Sequence, residues 1–143
     1  MDYCSVEDIE SRFLNIDFTS NTSVSTADVE SFISLNSAEI DGRLESDYTV
    51  PITGTQSLQI IQKICIYLTL SDVHEILEQK LTLEKGATLM SKTCADKAEK
   101  MLRAIEDGAM TLSDAESLAS DAFVNSNNVA GILPVMKKDT RQW

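Results

Sequence analysis

Histidines, cysteines and paired carboxylates are the side chains best suited to chemistry at neutral pH, and this chain holds few arranged for it. His74 is the single histidine, and the cysteines number three, Cys4, Cys65 and Cys94. No nucleophile signature surrounds His74, and no C-x-x-C pair links the cysteines to a metal or redox site. Their odd number and wide spacing rule out a readable disulfide framework and fit a reducing compartment. Glu7, Asp8 and Glu10 gather carboxylates, yet without the alternating oxygen ligands and central glycine of a calcium loop. Acids at that position are expected beside a helix N-terminus for dipole reasons alone. Glu39 and Asp41, two apart on a helix, do not face each other, so paired-carboxylate catalysis has no support.

The glycines fall at 42, 54, 86, 108 and 131. None are close enough to build a phosphate-cradling loop, and neither G-x-x-x-x-G-K-[ST], G-x-G-x-x-G nor G-x-S-x-G occurs. The expectation is a protein that is not an enzyme, with no cofactor, no metal and no catalytic residue.

The elements that would position any site are helical. The chain has 143 residues, 43% of them hydrophobic, with only 5 Gly and 2 Pro. That fits one core-bearing unit built from helices rather than a turn-rich β fold. Ser5 reads as an N-cap with Glu7 and Asp8 in the first turn, and Val6, Ile9 and Phe13 follow at helical spacing. This helix is expected to end before Asp17. Residues 17–25 read as a polar loop. Ser25 with Asp28 resembles a capping box for a helix over about residues 26–47, whose stripe of Val29, Phe32, Ile33, Ile40 and Leu44 is interrupted by Asn36. Pro51 then favours an extended Tyr48–Ile52.

A third helix is expected from Thr55 or Gln56 to near Gly86. Leu58, Ile60, Ile61, Ile64, Cys65, Ile66, Tyr67, Leu68 and Leu70 surround its axis, so it should be central. His74 lies further along it and reads as an ordinary helix-face residue. A fourth helix over about Thr88–Asp107 carries Met90, Cys94, Ala98, Met101, Leu102 and Ile105, with Gly108 as its C-terminal stop. Met90 and Met101 could form an adaptable binding face, though core packing is the commoner use. Ser113 and Glu116 match S-x-x-E, which points to a short helix over Asp114–Phe123 with Leu118, Ala122 and Phe123 inward. The fold class expected is therefore all-α: a small antiparallel bundle of about four main helices with an extended C-terminal tail. The organisation expected is a helical body over 1–107, then a short helix and docking tail over 108–143.

Charge narrows the partners. The net charge is −11, and residues 1–50 hold 11 acids against 2 bases. Such a body does not condense on phosphates, so specific nucleic-acid binding is not expected. No apolar run is long enough to span a bilayer, and the first residues lack a signal-peptide pattern, so a soluble protein made in the cytoplasm is expected. The last segment reverses both trends. Ile132, Leu133, Pro134, Val135, Met136 and Trp143 carry apolar surface, and Lys137, Lys138 and Arg141 carry positive charge. These nine residues are the candidate partner-docking site, because an uncovered apolar tail is a liability in water.

Two stretches resemble a known group. Tyr3-Cys4-Ser5-Val6-Glu7-Asp8-Ile9 with Arg12 is similar to the "Y-x-[ST]-x-[ED]-D-[IV]-x-x-R" opening of tailed-phage head–tail connector proteins. Phe32-Ile33, Ala38-Glu39-Ile40-Asp41, Leu44, Tyr48 and Pro51 resemble their "F-I…A-E-I-D-x-x-L…Y…P" segment, and the apolar helix over Leu58–Leu70 fits too. The resemblance covers about residues 3–107. It implies an adaptor, or head-completion, subunit in the neck of the virion. Such subunits form a ring of about twelve copies beneath the portal protein. The ring extends the DNA channel and offers a surface to a downstream neck or tail-completion protein. DNA would pass without specific binding, and no membrane would be involved. The alternative is a small helical interaction or regulatory protein that binds a host or phage partner.

Overall fold

The computed structural model describes residues 1–14, 16–20, 23–79 and 89–118. Four helices make up its regular structure: α1 (Val6–Glu10), α2 (Thr26–Leu44), α3 (Thr55–Gln79) and α4 (Met90–Glu106). Among the described residues there is no strand, only an isolated antiparallel bridge between Tyr48 and Ser117. The protein is all-α, as its patterning indicates.

Helix α3 is the central rod and touches the other three, whereas α1 and α4 do not meet. Its Ile61, Ile64, Cys65 and Val73 are fully buried. They pack with Ile9 of α1, Val29, Ile40 and Leu44 of α2, and Ala98 and Leu102 of α4. Burying each large aliphatic side chain contributes about 1.5–3 kcal/mol. Pairings along the rods show that neighbours run antiparallel. Asn36 and Ser37 of α2 meet Thr69 and Cys65 of α3, and the end of α3 meets the start of α4 through Glu78 and Ser91.

The helix boundaries follow local chemistry. Ser5 and Ser25 each accept a hydrogen bond from the amide three residues on, while Asp8 and Asp28 bond back, completing two capping boxes. Helix α1 is shorter than its spacing suggests: beyond Glu10 the amides of Arg12 and Phe13 reach back only three residues. Gly108 takes φ of +74° just after α4, the left-handed position that glycine fills without strain. Asn36, the break in the α2 stripe, is buried and donates to Thr69 Oγ1 and, at 2.8 Å, to Asp72 Oδ2.

Two expectations need correction. Met90 opens α4 but is 51% exposed rather than part of its buried stripe; its backbone amide is held by Glu78 of α3 while its side chain stays at the surface. The segment Asp114–Leu118 is turn and bridge, not the start of a helix. Its backbone is claimed elsewhere: Thr49 N–H donates to the Glu116 carbonyl and Leu118 N–H to the Asp47 carbonyl. Leu118 is accordingly 46% exposed instead of inward. Ala122 and Phe123, the stretch from Lys80 to Gly86 expected to finish the third helix, and Thr88, expected to open the fourth, lie outside the described residues.

Candidate functional site

The nine residues proposed from sequence as a docking tail, Ile132 to Trp143, all lie outside the described residues. What the structure does bring together is the pair of stretches that carried the connector resemblance. Tyr3 is the hinge of that junction. Its amide donates to Ser37 Oγ at 3.0 Å, its hydroxyl donates to the Asp41 carboxylate, and the same oxygen accepts from the Ile52 amide at 2.9 Å. One buried phenol thus ties the N-terminal segment to α2 and to the chain just after Pro51. Burial and the Asp41 carboxylate both push its pKa up, so it remains a neutral donor. Asp8, five residues after Tyr3, closes the α1 capping box and also accepts from Gln62 of α3 at 3.2 Å. The Ser5 backbone bond chiefly holds its carboxyl below the usual range.

Helices α3 and α4 lack side-chain caps of their own. Gly54 precedes α3 and Leu89 precedes α4. Each is capped from a distance. Asp114 accepts the Gln56 and Ser57 amides at 2.6 and 2.8 Å, and the Ser57 hydroxyl as well. Gly54 is required there, since a Cβ would sit 2.4 Å from the Asp114 carbonyl oxygen. Glu78, at the end of α3, accepts the Met90 amide at 2.7 Å and the Ser91 hydroxyl at 2.6 Å. A carboxylate at a helix N-terminus satisfies orphan donors and opposes the helix dipole.

The α4 flank carries a charged cluster. Arg43 of α2 reaches Glu99 and Glu106 at 2.7 Å each, and Arg103 meets Glu99 at 2.6 Å. Arg43 first, then Arg103, pulls the Glu99 carboxyl down to about 2. Beside it, Tyr67, Met101, Ala104 and Met110 floor a groove of about 350 Å³ rimmed by Lys63, Lys97 and Lys100. The Lys97 ammonium lies 5.5 Å from the Tyr67 ring centre. This is a local basic rim on an acidic molecule. On α2, Leu35 is 65% exposed, with Glu39 exposed one turn further along.

His74 is half-buried against Phe13, with ring centres 5.0 Å apart, and burial lowers its pKa. Its place on the α3 face is that expected from sequence. Among the described residues, no cluster of three or more His, Cys, Asp or Glu could hold a metal ion, and no helix is long and apolar enough to cross a membrane.

The family model described as "Bacteriophage Mu, Gp36" matches residues 3–128. The chain belongs to the bacteriophage Mu Gp36 family. It is therefore a phage protein, and the match spans all four helices, the Tyr3 junction and both remote caps of this Gp36-family chain. It also extends past residue 107, where the connector resemblance ended. No curated protein matches the chain.

The remote caps were missed from sequence because nothing local marks them. Gly54 and Leu89, as helix-preceding residues with no capping side chain, were the available signal that the caps come from elsewhere.

Proposed function

We propose that this chain is a non-enzymatic structural subunit of the phage neck. It forms a ring that docks on the portal, extends the DNA channel and gives the next neck or tail protein its attachment surface. The observation that carries this reading is the Gp36 family match across a helical bundle whose connector-like stretches converge on Tyr3. The protein acts by docking, with no chemical step.

A closed ring requires two different faces of one subunit that fit each other. The lysine-rimmed groove on α3 and α4 is one such face. The outer ridge of α2, with Leu35 beside Glu39, is its counterpart on the neighbouring copy: the leucine meets the apolar floor and the acid meets the lysines. The apolar, basic segment from Ile132 to Trp143 is the part that reaches the portal. The acidic surface repels phosphate, so DNA passes without sticking.

Sedimentation of the purified chain, alone and with portal protein, tests the reading. Ring-sized assemblies that bind portal are expected. Deleting Ile132–Trp143 should leave the circular dichroism of the bundle intact and abolish portal binding. Reversing charge with Lys97→Glu and Lys100→Glu should block ring formation, and mixing with a Glu39→Lys partner should restore part of it. A monomer indifferent to portal, or one that binds a host protein instead, would refute the neck assignment.

A further inference from the structure

The Tyr3 junction holds a second feature that no docking role uses. Cys4, next to Tyr3, and Cys65, in the middle of α3, bring their sulfurs to 3.3 Å. Both are free and buried. Their placement is imposed from both sides: Tyr3 is anchored to Ser37, Asp41 and Ile52, and Cys65 is fixed in the core helix with Ser37 Oγ 3.6 Å from its sulfur. Cys4 also lines a cleft of about 410 Å³, whose lining includes Asp2, Glu7, Glu10 and Glu30 and does not include Cys65. One thiol is thus reachable and the other waits behind it. That is the arrangement of an attacking and a resolving cysteine.

We propose that Cys4 and Cys65 form an oxidative modification site that takes a small, uncharged hydroperoxide through the acidic cleft and closes as an internal disulfide. When the pair has lost one proton, the remaining proton rests on Cys4, which donates it to the Cys65 sulfur; moving that proton across to Cys65 gives the less populated form, whose thiolate is on Cys4 at the cleft. The Cys4 sulfur attacks the peroxide, forming an S–O bond as the O–O bond breaks, and the hydroxide released takes up a proton. The Cys65 sulfur gives up its proton and attacks Cys4, forming the S–S bond as the S–O bond breaks and a second water leaves. Two thiols lose two electrons and one hydrogen peroxide becomes two waters. The sulfurs need to close by about 1.2 Å to reach bonding distance, which turning the two cysteine side chains can supply while Tyr3 stays anchored. The carboxylates around the cleft disfavour anionic oxidants, so oxidised glutathione should react about tenfold or more slowly at low salt. The bond would close a loop of about 60 residues and raise the Tm on the order of 10 °C.

Treating the folded full-length chain with hydrogen peroxide, blocking free thiols and digesting with trypsin tests this. The expected product is the peptide ending at Arg12 joined to the peptide beginning at Ile64, with a loss of two hydrogens. Cys94→Ser should give the same product. Cys65→Ser should instead leave a sulfenic acid on Cys4 that dimedone traps, and Cys4→Ser should give neither. Both thiols remaining free to alkylation after peroxide, or cross-links only between chains, would overturn the proposal. The wild-type result decides it even if a variant folds poorly.

Discussion

The two halves of this bundle start their helices in different ways. Helices α1 and α2 carry their own caps, Ser5 with Asp8 and Ser25 with Asp28, three residues apart in each case. Helices α3 and α4 are capped by carboxylates 58 and 12 positions away, Asp114 to Gln56 and Glu78 to Met90. Local caps form with the helix they serve. Remote caps form only when the rods have docked, so they report on tertiary structure and reward its completion. Through Asp114, the segment after α4 becomes part of the body rather than the beginning of a tail, and Leu112 is buried with it.

Substitutions distinguish the two kinds of helix start. The largest effect should come from Ile64→Ala, which opens a cavity at the centre of α3 and costs about 2–5 kcal/mol. If remote capping depends on docking, amide exchange at Met90 and Ser91 should speed up in this variant before that of Val29, whose amide bonds the Ser25 carbonyl at the locally capped start of α2. Next, Gly54→Ala should destabilise by about 1–3 kcal/mol, because its Cβ meets the Asp114 backbone. Gly42→Ala, with nothing within 4 Å of the added carbon, should be neutral or stabilise by up to about 1 kcal/mol, since alanine suits a helix interior better. Urea melts should show a lower midpoint for Gly54→Ala and an unchanged or higher one for Gly42→Ala.

A closer pair is Ser25→Ala and Glu78→Ala, each expected to cost about 1 kcal/mol as a lost cap. Their difference lies in exchange: the first should loosen only α2, the second the contact between α3 and α4.

The smallest effect is the response to acid. Burial depresses the His74 pKa below 6.5, so the unfolded chain takes up that proton first. Its contribution is full above pH 6.5 and is lost as pH falls through the folded value. Glu99 is held at about 2 against an ordinary 4.5, so its contribution is present above pH 4.5 and is lost as pH falls towards 2. Stability should therefore decline in two stages on acidification. His74→Gln should remove the first stage and leave the second, as thermal melts across pH would show.

Much of the fold was legible because its signals are local. The heptad-like stripes of α2 and α4, the apolar girth of α3, the Ser25–Asp28 spacing and Gly108 each depend on residues within a turn or two. Asn36 was legible only as an interruption; that it is buried and bonded to Asp72 depends on what α3 presents. Ser113 and Glu116 misled for the complementary reason. The S-x-x-E pattern is real, but Asp114 between them gains more at the N-terminus of α3 than in a new helix, and the backbone of 116–118 is already paired with 47–49. Of the candidate sites, the Tyr3 stretch was recognisable as a motif, while its contacts with Ser37, Asp41 and Ile52 were not. Groove and ridge residues came from different helices and shared no linear pattern, so only the packed bundle brings Lys63 beside Lys97 and Lys100.

The neck assignment meets its most direct test in the particle itself. With a tag on this chain, electron microscopy of purified virions should place multiple copies in a ring at the junction of head and tail, against the portal. Intact virions that lack the chain, or carry it anywhere other than that junction, would contradict the account.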